Sequence, residues 1–294
     1  MNAVKLIVIG DPHIGENSAE NRGVSTAAHL TQAIEHINQH HSDAALCLFL
    51  GDLVHNGDSA EYTHFKAHLE ALTVPHALMI GNHDNRANFL NAFPNTRQDR
   101  SGFIQFAIDI GDQYRLIALD SLNAPPYSSL RHIGKLCEQR LAFLATSLQE
   151  AGDRQIIVAM HHQPFRTGLP GMDAIRLWNG EEYLALLKQH PKVAMLLMGH
   201  NHRLISGISH GFPFTCFKSM SMQTPLDFDA LDPTGGIAEP PSYGVLLLTE
   251  NGILVHQAEF TTTAPRQSGW DAVAPETKAG WQTLVNAMLP ERAI

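Results

Sequence analysis

Short apolar runs rich in valine, isoleucine and leucine punctuate this chain, at Val4–Gly10, Ala44–Leu50, Ala77–Ile80, Ile156–Met160 and Val193–Met198. Runs of this length read as strands buried on both faces. Between the first three lie two helical stretches. Ser25–Gln39 carries Ala28, Leu30, Ala33, Ile34 and Ile37 at helical spacing. Asp58-Ser59-Ala60-Glu61 has the form of a capping box and opens a helix through Ala71. Strand alternating with helix predicts a parallel sheet with right-handed crossovers, and so an α/β fold.

The middle changes rhythm. Phe103–Ile110 and Tyr114–Asp120 flank Gly111-Asp112 and predict a hairpin, while Gly134–Glu150 and Asp173–His190 read as helices. From Leu204 the pattern is mostly β, with strands at Leu204–Ser209, Phe212–Phe217, Tyr243–Leu248 and Leu254–Phe260. No composition break marks a second globular unit before about Thr261, so residues 1–260 are expected to form one catalytic domain. The remainder, 261–294, begins polar and ends in an amphipathic helical pattern around Trp281, Leu284, Val285 and Met288. That tail is expected to pack on the body, cover a site, or join a second copy in a homo-oligomer.

The residues just past the apolar runs carry the chemistry. Five clusters stand there in order: Asp11-Pro12-His13, Gly51-Asp52, Gly81-Asn82-His83-Asp84, His161-His162 and Gly199-His200-Asn201-His202. A ligand at the end of a buried strand is held at the sheet edge where α/β folds build their sites. Asp11 and His13 are two residues apart, as are His200 and His202, a spacing that turns both side chains the same way in extended chain. Carboxylate, amide and imidazole without thiolate suit manganese, iron, zinc or cobalt better than calcium or a structural zinc site. Two pairs and three single ligands are enough to enclose two ions.

Charge narrows the partners. With 20 basic against 29 acidic residues the net charge is -9, so polymeric nucleic acid is not expected to bind. No run approaches the ~18 apolar residues of a membrane span. Cys47, Cys137 and Cys216 are odd in number and have no CxxC spacing, which suits free thiols. Met1–Gly10 is short for a secretion signal and leads straight into Asp11. A cytoplasmic protein is the expectation.

The ordered motifs Asp-x-His, Gly-Asp, Gly-Asn-His-Asp, a strand-end His and Gly-His-x-His resemble those of the calcineurin-like metallophosphoesterases, over roughly Val4 to Phe260. The resemblance implies a four-layer αββα sandwich of two mixed β-sheets flanked by helices. It implies one metal on Asp11, His13, Asp52 and His202, and a second on Asp52, Asn82, His161 and His200, with Asp52 bridging. It gives His83 the task of reaching a phosphoryl oxygen or protonating the leaving group, after in-line attack by a metal-bridging hydroxide. Within the family the chain looks most like class III cyclic nucleotide phosphodiesterases and bacterial glycerophosphodiesterases. Gly-Asn-His-Asp followed by Arg86, and Ser221-Met222-Gln223, lean that way. A small phosphodiester, either a 3′,5′-cyclic nucleotide or a glycerophosphodiester, is therefore the expected substrate. A phosphomonoesterase, a phosphonate monoester hydrolase and a non-catalytic metal-binding scaffold stand as alternatives.

Two departures bear on substrate choice: His162-Gln163-Pro164 replaces the commoner His-Pro-Pro, and His55 stands where the subgroup often has Asp or Asn. His55, Arg86 and His162 are candidates to contact substrate, His162 alternatively supporting a ligand. Asp84 is expected to orient a neighbour or cap the next helix. Selectivity is expected in the loops around Asn17–Gly23, His55 and Gln223, or in the tail. The pairs His36/His40 and His64/His68 have the i,i+4 spacing of helical metal pairs but read as solvated faces. Gly207-Ile208-Ser209-His210-Gly211 matches a serine-hydrolase elbow, yet Pro213 opposes the helix that motif needs, so a β-turn is expected.

Overall fold

Along the first strand, β1 (Val4–Ile9), side chains divide alternately between two apolar layers, Leu6 and Val8 facing one way and Ile7 and Ile9 the other. The computed structural model describes residues 3–15, 23–125, 129–261, 269–270 and 273–288. After β1 come α1 (Thr26–His40), β2 (Leu46–Leu50), α2 (Ser59–Leu69), β3 (His76–Met79) and α3 (Arg86–Ala92). The three strands run parallel, with β1 in the middle of a five-stranded sheet. Its other half is an antiparallel hairpin from near the chain's end, β10 (Ser242–Thr249) and β11 (Gly252–Glu259), giving the order β11-β10-β1-β2-β3. The chain thus closes on its own first strand.

The second sheet has six strands in the order β4-β5-β6-β7-β9-β8. These are β4 (Phe106–Ile110), β5 (Tyr114–Leu119), β6 (Gln155–Met160), β7 (Val193–Met198), β8 (Ile205–Ser209) and β9 (Phe212–Cys216). Leu6, Val8, Leu48 and Met79 of the first sheet share one apolar layer with Leu116, Ile157 and Leu197 of the second. Both outer faces are covered by helices. Ile7, Ile9 and Phe49 pack with Leu30 and Ile34 of α1 and Phe65 of α2. Val158 and Met160 pack with Leu144 of α4 (Glu138–Gln149) and Tyr183 and Leu187 of α6 (Gly180–Leu187). The result is the expected four-layer αββα sandwich of two mixed sheets.

Two helices differ from the expected spans. The stretch expected as helix from Asp173 to His190 is split into α5 (Pro170–Ala174) and α6, with residues 175–179 between them. There the backbone pairs outward: Leu177 N–H donates to Gln163 C=O (3.0 Å) and Trp178 N–H to Gly134 C=O (2.7 Å). Asn179 clasps Leu136 through both its amide atoms, at 3.1 and 2.8 Å. These bonds take the place of the i−4 carbonyls that a continuous helix would use. The same contacts hold Gly134–Leu136 out of helix, so α4 begins only at Glu138, after the N-cap Cys137.

The His210-Gly211 turn joins β8 to β9 with φ of 55° and 91°, the left-handed pair of a tight hairpin, and Ser209 has no helix beside it. The last helix, α7 (Pro275–Met288), forms where the tail's amphipathic pattern predicts one, and its Trp281, Leu284 and Met288 are exposed. Among the described residues no helix is long and apolar enough to cross a membrane. The two histidine pairs are not simply solvated: His36 bonds Tyr243 Oη (2.6 Å), His64 donates to Gly15 C=O (2.8 Å) and His68 bonds Thr31 Oγ1 (3.1 Å).

A Cβ at Gly180 would lie 2.0 Å from the Pro164 carbonyl oxygen. Gly180→Ala is expected to lower unfolding free energy by about 1–3 kcal/mol, despite alanine's better helix propensity, because backbone must move to admit it. Urea unfolding measures this; an unchanged or raised midpoint contradicts the close-approach reading.

Candidate metal centre

Among the described residues, five of the six non-glycine positions with positive φ are candidate ligands: Asp11 (46°), His13 (47°), Asp52 (48°), His200 (64°) and His202 (46°). Left-handed backbone costs of order 1–3 kcal/mol for a residue with a side chain, and it clusters where geometry is over-determined by its surroundings. This corrects the extended-chain geometry expected for the two pairs. The chain leaves each strand through a left-handed kink, and that kink aims the side chains.

Three groups of ligand atoms lie within 4.8 Å of one another among the described residues, one of them His13, His55 and His83. The other two hold most of the candidate ligands, Asp11, His13, Asp52 and His202 in one and His161 and His200 with His162 in the other. Asp52 reaches both, its Oδ2 lying 3.5 Å from His13 Nε2 and 3.3 Å from His161 Nε2. Asn82 Oδ1 is 3.1 Å from His161 Nε2, while His13 Nε2 and His202 Nε2 are 3.0 Å apart. Each sheet contributes, the first through Asp11, His13, Asp52 and Asn82, the second through His161, His200 and His202.

Neighbouring backbone orients the rings. His161 Nδ1–H donates to Leu50 C=O (2.9 Å) and His202 Nδ1–H to Met222 C=O (3.0 Å), turning both Nε2 atoms inward. This outer hydrogen bond is the usual support of a metal-binding imidazole. Asp11 Oδ1 accepts from the His200 amide and Asp52 Oδ1 from the His83 amide, at 2.9 and 2.8 Å. At Gly81 a Cβ would meet Asp52 Oδ1 at 2.3 Å and His161 Cε1 at 2.6 Å, so only glycine lets β3's end approach. Asp11 Oδ2 and His200 Nε2 are buried without a hydrogen-bond partner. Orphaned buried acceptors in a thiolate-free set of carboxylate, amide and imidazole fit a pair of transition-metal ions.

Electrostatics agree. Burial pushes Asp52 up, but His161, His83 and His13 outweigh it and hold the carboxyl well below its ordinary range. Burial works against protonation of His161, yet the charge of Asp52, its hydrogen bond and Asp11 raise the imidazole to about 9. Burial, then repulsion from His162 and His161, keeps His200 well below its usual value.

Residues 4–204 match the Calcineurin-like phosphoesterase family. The chain belongs to that family. It is 36% identical over 272 residues to the "probable cyclic nucleotide phosphodiesterase" of Rhodopseudomonas palustris, covering 92% of this chain and 98% of the relative. It is 30% identical to the "probable glycerophosphodiester phosphodiesterase" of Arcobacter nitrofigilis, covering 85% of this chain and 91% of that one. A dimetal phosphatase from Danio rerio has the same fold, with a TM-score of 0.64 at 18% identity, covering 88% of this chain and 99% of that one. The chain is thus a metallophosphoesterase-family hydrolase with a site suited to a divalent metal centre.

In this phosphoesterase a cavity of about 430 Å³ opens onto the centre. His13, Asp52, Asn82, His200 and His202 line it, together with His55 and His83. His83 Nδ1–H donates to His55 C=O (2.7 Å), which leaves Nε2 as the ring's second nitrogen. Arg86 does not line the cavity. Its guanidinium grips Asp120 with two bonds of 2.8 Å and also donates to Ala124 C=O (2.7 Å), which ties α3 to the end of β5. His162 is fully buried behind His161 and His200, bonded to Ser121 Oγ (2.7 Å), and cannot contact substrate. Asp84 is not the helix cap, a place taken by Asn85. It accepts from Leu53 and Gly81 amides (3.2 and 2.8 Å) and from Tyr62 Oη (2.9 Å), locking the Asp52 turn to the Asn82 turn. Burial, then the charge of Asp52, raises Asp84 to about 7.

The walls hold residues that no sequence motif flagged. Met172 and Ile175 come from α5 and its exit, Pro233–Gly236 from a long connection, and His132 from a short 3₁₀ turn, Ser129–His132. None ends an apolar run, so only the tertiary fold reveals them. Gln223 is buried, its amide bonding Ser219 and Ser221, and its neighbours Met222 and Thr224 meet the cavity instead. Residues 17–22 of the Asn17–Gly23 loop lie outside the described residues.

Because His161 holds a proton up to about pH 9 without metal, loading must expel it. Metal binding at pH 7 is expected to release about one proton from this ring, with affinity rising up to about pH 9. Calorimetry in buffers of different ionisation enthalpy measures it; equal heats in all buffers contradict the assignment.

Proposed function

We propose that this chain hydrolyses small phosphodiesters, cyclic nucleotides or glycerophosphodiesters, at a centre of two transition-metal ions drawn from manganese, iron, zinc and cobalt. The observation that carries the reading is the convergence on Asp52: its carboxylate faces both ligand groups while its Oδ1 fixes the His83 backbone. Asp11, His13, Asp52 and His202 would hold one ion, and Asp52, Asn82, His161 and His200 the other. When bound, such a pair supplies positive charge for the phosphoryl oxygens and an acidified nucleophilic water.

The chain's own part is orientation and proton transfer. Asp52 and Asp11 accept amides of the adjoining turns, so neither carboxylate can swing away as charge develops on the substrate. His83, held at Nδ1 by His55 C=O, offers Nε2 to the oxygen that departs and, when Nε2 also carries a proton, gives it that proton and returns to the neutral ring, or donates it in a hydrogen bond to the phosphoryl group. Likeness to the phosphodiesterases of R. palustris and A. nitrofigilis supports the diester reading. So does the cavity wall, where no lysine or arginine appears among the described residues. A monoester carries an extra charge and calls for more cations than that. The free thiols Cys47, Cys137 and Cys216 support a reducing, cytoplasmic setting.

Asp52→Ala is expected to abolish diester hydrolysis and to lose both metals in elemental analysis; full activity in a metal-stripped variant would overturn the reading. For His83→Ala metal content should hold while kcat falls by ~10²–10⁴. Loss of metal in that variant would make His83 a ligand instead. Rates on a bis-aryl diester and an aryl monoester, measured side by side, should favour the diester.

A further inference from the structure

Asn82 has two amide atoms and only one suits a cation. Its Oδ1 lies 3.1 Å from His161 Nε2, inside the ligand set, so its NH₂ group must find an acceptor on the other side. That acceptor is His132: Asn82 Nδ2–H donates to His132 Nδ1 at 3.0 Å. A bond in this sense leaves the His132 proton on Nε2. His132 lines the cavity beside His83, their ring centroids 5.5 Å apart, and Asn82 lines the same cavity.

We propose that His132 is a further residue of the phosphodiester site, with two linked tasks. Through Nδ1 it fixes the Asn82 amide with the oxygen toward the ligand set. Through Nε2–H, held as a donor by that same bond, it hydrogen-bonds a non-bridging oxygen of the bound phosphoryl group. The pair of imidazoles is then complementary. His83 has Nδ1–H committed to His55 C=O and Nε2 available to take or give a proton, whereas His132 has Nδ1 committed as acceptor and Nε2–H as standing donor. One ring moves the proton, and the other holds the phosphoryl group in place.

The second task rests on the phosphodiesterase reading and the first does not, so the experiment separates them. Three variants, His132→Leu, His132→Ala and His132→Gln, are compared with the parent chain by thermal melting, metal content after limiting dialysis, inhibition by inorganic phosphate, and kcat and KM on a bis-aryl diester. Glutamine can accept from Asn82 with its oxygen and donate with its nitrogen; leucine and alanine can do neither. Leucine and alanine are expected to weaken retention of one metal by about 10–100-fold, the usual scale for a group that orients a ligand. Phosphate inhibition should weaken and KM rise in the same variants, with glutamine restoring most of each loss. Leucine and alanine variants that melt as the parent and retain parental metal and phosphate affinity would overturn the proposal. A glutamine variant as impaired as leucine would overturn it too, by showing that ring shape and not hydrogen bonding matters. If the parent hydrolyses no diester but metal retention still tracks His132, the positioning task stands and only the diesterase reading falls.

Discussion

The Asp52 carboxylate has to serve both ligand groups at once, and the surrounding architecture is arranged around that demand. It leaves β2 through a left-handed residue, accepts the His83 amide with one oxygen, and presents the other to His13 and His161. A buried carboxylate without compensation is strongly unfavourable, and here three histidines supply it. Asp84 extends the arrangement outward by tying the Asp52 turn to the Asn82 turn, and Tyr62 on α2 holds Asp84 in place. Tyr62 also accepts the Asn85 amide (2.9 Å), so α2, the end of β3 and the start of α3 are fixed with respect to one carboxylate.

Strain and packing divide the work. Five candidate ligand residues hold unfavourable backbone, and bonds that a relaxed chain would lose pin their turns. Ser219 Oγ–H donates to Asp11 C=O at 2.7 Å, and the His13 amide donates to Asp52 C=O at 2.9 Å. The sheets that supply these anchors share a buried apolar layer, and a close-packed frame of this kind keeps side chains at its edge aimed at low entropy cost.

How much of this was legible in the sequence depends on which signals are local. Near-continuous apolar runs along Val4–Ile9 and Leu46–Leu50 announce strands buried on both faces, and the capping box at Asp58–Glu61 announces α2 with its boundary. The ligand clusters are legible because each ends such a strand. The break at residues 175–179 is not, because its cause is bonding to Gln163, Gly134 and Leu136, all distant in the sequence. For the same reason Arg86 reads as a groove residue until Asp120 is seen to hold it, and His162 reads as a candidate substrate contact until Ser121 and Gly134 enclose it. His132, Met172 and the Pro233–Gly236 wall belong to connections with no periodicity, so nothing in their own stretch announces them.

Because the candidate ligands come from the ends of both sheets, the site cannot exist on either alone. Asp11, Asp52 and Asn82 arrive with one layer of the sandwich, His161, His200 and His202 with the other. Any ion that binds them all therefore behaves as a rivet between layers, adding its binding free energy to the docked state and none to a molecule whose sheets have separated. The centre would report on assembly as much as on chemistry: a half-folded chain has the strands but cannot hold the charge that makes the enzyme.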